Sequence, residues 1–308
     1  MKTNLILLAA LSLVIFFSCN KNDDFNSVEL DQEDIAAKET AVESSMSTVD
    51  YEIDYFSGSS DIMNSFASEV PTSSVKGNFK FKGVFGKVGF GDRYKIGKGP
   101  EVTIDKPEEA NYPKTITIDY GTETETKHGI IISGKIIITV SAAPRTEGAT
   151  KTISYENFVI DGKEVSGGSS RVFNAGEADG SGTITITGER VITFDDASIS
   201  TRKVKKVKKW ISGLDTKFNP SDDQLEITGE TSVINSDNTQ YKKAITKALK
   251  KIGECRYIVE GIVEISINGT VETTIDYGNG ECDNIVTITK DGETKEVKIG
   301  NWKRKGKK

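Results

Sequence analysis

Apolar and polar residues alternate with a period of two along most of residues 75–302. The clearest runs are TITIDY (115–120), GIIISGKIIITV (129–140), KTISYENFVI (151–160), GTITITGERVITF (182–194), QLEITGETSVI (224–234), YIVEGIVEISI (257–267), VETTIDY (271–277), IVTIT (285–289) and KEVKIG (295–300). Thr, Ile, Val and Tyr dominate them, as expected of half-buried strands. Asp161-Gly162, Asn268-Gly269 and Asp291-Gly292 fall between runs. They predict two-residue hairpin turns of the I′ kind. Many strands joined by local hairpins predict a mainly β body, an antiparallel multi-stranded sandwich or an extended twisted sheet.

Glycines interrupt several runs, at Gly134, Gly188, Gly229 and Gly261. Gly134 fits a turn, and the others predict bulges or bends that curl a long sheet, with close approach of a ligand as the alternative. The segment 241–252, YKKAITKALKKI, has a helical stripe (Tyr241, Ala244, Ile245, Ala248, Leu249, Ile252). Its β surroundings nevertheless favour a strand. TITIDYG (115–121) is echoed by ETTIDYG (272–278), which suggests two related halves.

Upstream the period changes. Ile35, Val42, Met46, Val49, Ile53 and Phe56 are spaced 7, 4, 3, 4 and 3. That is one stripe of a helix over about 31–56. Asp31 is placed to cap it, with Glu33 and Asp34 in its first turn. This helical stem (31–70) either packs on the body or acts as a spacer.

The first residues carry a different signal. Lys2 precedes an apolar run, Leu5–Phe17, which is followed at once by Ser18-Cys19. The run is too short for a membrane span. This resembles the signal peptide and lipobox of bacterial lipoproteins, although Phe16 and Phe17 depart from the usual pattern. The resemblance implies a signal peptide over 1–18 and acylation of Cys19, with two or more chains needed for stable anchoring. Asn20-Lys21-Asn22-Asp23-Asp24 resembles the surface-export signal of Bacteroidota lipoproteins. It opens a flexible acidic tether over 19–30. The expected location is an outer membrane, facing the cell surface, with a periplasm-facing orientation as the alternative.

Charge is uneven. Residues 20–70 carry 13 Asp or Glu and 2 Lys, a net −11 within an overall −6. The body is mildly basic, which gives no reason to expect nucleic acid. The one histidine, His128 in TKHG, rules out a multi-histidine metal site and is read as a loop residue. There is no GxSxG, HExxH or phosphate-binding loop. No catalytic residue is therefore assigned and no cofactor is expected.

Several pieces of residues 110–300 resemble a family of uncharacterised Bacteroidota β-rich lipoproteins: IDYG, TKHGIIISGKI, Trp210-Ile211-Ser212-Gly213, CRYIVEGIVEI and IDYGNGECDN. The resemblance implies a surface or periplasmic β-rich lipoprotein and supplies no activity.

Export places Cys255 and Cys282 where disulfides form. Counting outward from Ile267 opposite Thr270, an unbroken hairpin sets the two cysteines face to face, about 5.5 Å apart at Cα. Gly278 and Gly280 are expected to disturb the ladder before Cys282. The loop around Asp276, Glu281, Asp283 and Asn284 is oxygen-rich enough for calcium. Its spacing is not that of an EF-hand, and turn formation is the competing role. The basic run Arg202–Lys209 ends at Trp210, and the basic tail 303–308 lies beside Trp302. Both suggest contact with anionic glycans or lipid head groups, with Trp210 and Trp302 as glycan platforms. The favoured alternative is a lysine-rich strand edge protected from aggregation. The expectation is thus a non-enzymatic lipoprotein held to the membrane by its lipid, with a glycan or protein partner. Glycan-active or assembly roles are the alternatives.

Overall fold

A computed structural model describes residues 35–68, 78–81, 94, 99–127, 129–176, 182–216, 222–253, 255 and 257–299. The leader 1–18, Cys19, the tether, Asp31–Asp34, His128, Trp302 and the tail 303–308 lie outside these residues.

One helix, α1 (Ile35–Ser68), precedes the strands. These are β1 (Asn78–Phe81), β2 (Glu101–Asp105), β3 (Lys114–Asp119), β4 (Thr124–Glu125), β5 (Ile131–Val140), β6 (Thr150–Ile160), β7 (Lys163–Asn174), β8 (Thr183–Thr193), β9 (Ile199–Ser212), β10 (Gln224–Asn235), β11 (Gln240–Ile252), β12 (Ile258–Ile267), β13 (Thr270–Asn279), β14 (Ile285–Lys290) and β15 (Glu293–Lys298). Apart from β4, which pairs with β5, each strand pairs with its neighbours in chain order, so the body is a single antiparallel meander. It is the extended sheet of the two architectures expected. The ambiguous segment 241–252 is strand, as β11, paired on both sides.

The expected hairpin turns are present. Asp161-Gly162, Asn268-Gly269 and Asp291-Gly292 all have positive φ at both positions, as type I′ requires. Gly229 and Gly261 mark bends, and Gly134, expected in a turn, lies at a register shift inside β5, whereas Gly188 pairs in unbroken register on both sides. At Gly229 a β-carbon would lie 2.2 Å from the carbonyl oxygen of Lys205, and at Gly261 2.5 Å from that of Ala248. Neighbouring backbones therefore crowd together where the register shifts. That is how a long sheet curls.

The echoed TIDYG pieces have one structural meaning. Asp119 accepts from the backbone N–H of Gly121 at 2.8 Å, and Asp276 from that of Gly278 at 2.9 Å. Each is an Asx turn at a strand end. Each leaves its tyrosine, Tyr120 or Tyr277, buried on the inner face.

The inner face carries two apolar clusters. One joins Val102, Ile116, Ile118, Ile136, Ile138, Ile153 and Phe158 to the helix stripe Val42, Met46, Val49, Ile53 and Phe56. The other joins Ile227, Val233, Leu249, Val263, Ile275, Val286 and Val297 along β10–β15. The helix thus packs on the body as part of its core. It runs past the expected end at residue 56, because Gly58 stays helical. It does not take the left-handed conformation that stops a helix.

Candidate functional site

Beside its apolar stripe α1 carries a second one. Glu39, Glu43, Asp50 and Asp54 are spaced four, seven and four, so they share one flank. That flank faces the sheet. From Lys38 to Gly58 only Tyr51 is exposed, and Glu39 is fully buried.

The partners come from five strands. Arg202 and Tyr241 both donate hydrogen bonds to Glu39, and Lys243 lies 2.8 Å from it. Glu43 meets Lys243 at 3.2 Å and Lys206 at 3.5 Å. Asp50 takes Arg171 at 2.7 Å, Lys208 at 3.4 Å and Arg190 at 3.7 Å. Asp54 takes Arg171 at 2.9 Å, Lys151 at 3.4 Å and Lys208 at 3.6 Å. As the helix advances its partners move from β11 and β9 to β8, β7 and β6, so α1 crosses the strands. On its other flank Glu52 accepts from Tyr120, just after β3, at 2.9 Å.

The electrostatics follow from this crowding. Burial pushes the Glu39 carboxyl up, but Arg202 and Lys243 outweigh it and hold it well below the usual carboxylate range. Lys206 holds Glu43 down to about 2, with burial opposing and Lys243 assisting. Burial is likewise outweighed at Asp50 by Lys208, Arg171 and Arg190, and at Asp54 by Lys208, Arg171 and Lys151. Opposite charges at this range favour the charged form, so both remain ionised. Burial, reinforced by the Glu39 charge, raises the Tyr241 phenol, so it stays a hydrogen-bond donor.

This corrects the expectation for the basic run. β9 lies between β8 and β10 and is no edge. Its alternate residues Arg202, Lys206 and Lys208 face the helix acids, while Lys203, Lys205 and Lys209 point to the other face, as strand pleating dictates. On that outer face positive strands alternate with negative ones. Lys203 pairs with Glu189 at 3.7 Å, Lys242 with Glu230 at 2.6 Å and Lys247 with Glu260 at 2.9 Å. These are cross-strand charge pairs of the ordinary kind. The charged strand that does end the sheet is β15, ETKEVK, where charge guards an edge.

Trp210 is also corrected. It is 9% exposed, edge-on to Phe173 at 6.0 Å, with the Arg145 guanidinium 5.4 Å over its ring. Arg145 donates to the backbone of Gly213 at 2.9 Å and of Leu214, and pairs with Asp223 at 3.3 Å. This clamp ties the loop after β5 to the loop between β9 and β10. It offers no open platform to a sugar.

Cys255 and Cys282 form a disulfide with Cα atoms 5.7 Å apart. The route differs from the unbroken hairpin. Register shifts between Ile265 and Ser266, and between Glu260 and Ile262, precede the end of the ladder at Glu260–Asn279, and both cysteines lie beyond it. The oxygen-rich loop beside them makes turns. Asp283 accepts from the N–H of Ile285 at 2.9 Å, and Asn284 donates to the carbonyl of Ile299 at 3.2 Å. Among the described residues no group of three or more His, Cys, Asp or Glu side chains is arranged to hold a metal ion.

The ion-paired helix flank was the feature hardest to find from sequence. Both halves are legible, an acidic stripe and a strand with alternate basic residues. Nothing local links them, since Glu39 and Arg202 are 163 residues apart. No family model, no curated protein and no solved structure matches the chain.

Proposed function

We propose that this protein is a lipid-anchored β scaffold on the outer face of an outer membrane, acting by binding or display rather than by catalysis. The observation that carries this reading is the way the amino-terminal side of the chain is fastened. The tether that follows Cys19 leads in sequence into α1. α1 is held in the body by an apolar stripe, by buried ion pairs from Glu39 to β9 and β11, and by a half-exposed pair from Asp54 to β7. An anchor attached there is mechanically coupled to the core. The Cys255–Cys282 pair suits an exported protein, because disulfides persist in oxidising compartments. Among the described residues no helix is long and apolar enough to cross a membrane. On this reading the lipid supplies the attachment.

The test is Cys19→Ser in the full-length chain, with metabolic fatty-acid labelling, membrane fractionation and protease shaving of intact cells. Loss of label in the variant is the expected result. Absence of label from the wild-type chain, or label retained in the variant, would overturn the anchor, and protection of the wild-type protein from shaving would overturn surface display.

A further inference from the structure

The ion pairs at the carboxyl-terminal half of the helix flank do not balance. Four cations, Lys151, Arg171, Arg190 and Lys208, share two carboxylates, Asp50 and Asp54. A buried excess of positive charge is costly unless a further anion accompanies it. Arg190 is the least engaged of the four. Its closest carboxylate contact is 3.7 Å, too long for a hydrogen bond. Its Nε is buried with no partner among the described residues.

Further buried donors lie on the same inner face. The Nε of Arg171 and the hydroxyl of Ser169 are also buried and without a hydrogen-bond partner among the described residues. The phenol oxygen of Tyr155 is buried with no well-formed hydrogen bond, although the Arg190 guanidinium is near enough to act on it. Arg171 is 2% exposed, Ser169 6% and Arg190 7%. Arg171 and Arg190 converge on the same oxygen of Asp50. Ser169 stands opposite Gly188, which makes Arg190, two residues on along β8 and opposite Gly167, its diagonal neighbour on the inner face. Burial raises the Tyr155 phenol, with the nearby charges of Arg190 and Arg171 opposing, so its proton stays available to donate. The rim is open to solvent, since the side chains of Asp50 and Asp54 are 28% and 40% exposed.

We propose that this cluster is an anion site, in which Arg190, Arg171, Ser169 and Tyr155 take a phosphate-class dianion beside Asp50 and Asp54. Guanidinium groups match phosphate oxygens in geometry, hydroxyl donors complete the set, and a dianion offsets the two unmatched positive charges. The site gives the binding-scaffold reading a ligand class, and it stands or falls separately from the anchor, which is tested at Cys19. The same chemistry is offered by free phosphate and by a phosphomonoester lipid head group.

The experiment uses the full-length chain carrying Cys19→Ser, so that acyl chains do not contribute. Inorganic phosphate is titrated calorimetrically at about pH 8, where it is a dianion, against sodium chloride of equal ionic strength. Flotation with phosphatidic acid vesicles, against phosphatidylcholine vesicles, forms the second arm. Phosphate binding that weakens about tenfold in Arg190→Gln and about threefold in Ser169→Ala, with no vesicle preference, identifies a soluble phosphate ligand. Flotation with phosphatidic acid alone, lost in the same variants, identifies a head group. Ser169→Ala keeps the test decisive if Arg190→Gln fails to fold. No phosphate-specific response in either arm, or a response unchanged by the substitutions, would overturn the site.

Discussion

The two flanks of α1 meet the same sheet by opposite physics. On one, Val42, Met46, Val49, Ile53 and Phe56 enter a cluster of isoleucines with no polar obligation. On the other, Glu39, Glu43, Asp50 and Asp54 enter a belt of lysines and arginines. Apolar burial contributes stability without regard to direction. Buried charges contribute little net stability against a hydrophobic substitute, but removal of one partner is severe. The apolar flank therefore holds the helix down, while the charged flank fixes where along the sheet it sits. A helix slid by one turn keeps apolar contacts but unpairs half of its carboxylates, because Glu43 and Asp54 lie one turn beyond Glu39 and Asp50.

The largest expected effect is on the charged flank. Glu39→Ala leaves Arg202 and Lys243 buried without their shared carboxylate. It destabilises the fold by about 3–5 kcal/mol in urea unfolding. On the apolar flank the fully buried Ile53 is the counterpart. Ile53→Ala costs about 2–5 kcal/mol, by lost transfer energy and a cavity. The two residues lie several turns apart on α1 and belong to different flanks. The double variant is therefore expected to lose the sum of the two single losses. A coupling energy comparable to either single loss would break the division into independent flanks.

Acid separates the flanks by sign. Glu43 is depressed in the fold to about 2. Its contribution is thus present above the ordinary carboxylate range and is lost as pH falls through the folded value. Glu43→Gln therefore flattens the decline of unfolding free energy between about pH 4.5 and about pH 2, whereas Ile53→Ala shifts the curve downward without changing its slope. An unchanged slope in Glu43→Gln would remove Glu43 from the acid response. The smallest effect is on the outer face. The side chains of Lys203 and Glu189 are 70% and 54% exposed. Lys203→Ala changes the unfolding free energy by less than about 1 kcal/mol. A cost like that of Glu39→Ala would mean that burial is not what distinguishes the inner pairs.

Much of the fold was legible. The alternation at 182–194 and 257–267 became β8 and β12, and the Asp-Gly and Asn-Gly pairs became I′ turns. These signals depend on a residue and its immediate neighbours. The helix stripe was legible for the same reason. Less legible was anything that depends on the opposite side of the core. Trp210 is polar at one end and follows a run of basic residues, and the sequence does not reveal that Arg145 and Phe173 cover it. The disulfide was anticipated from hairpin counting, but bulges between β12 and β13 set the actual route.

Local periodicity and turn chemistry were enough to specify an antiparallel β body, its turns and one amphipathic helix before it. Packing was needed for the rest. It joined the strands into one sheet, laid α1 across it, and turned Arg202, Lys206 and Lys208 toward the helix rather than the solvent. Period two says that alternate residues share a face, but which face is inside depends on what lies against it. Here that partner is a helix far earlier in the chain.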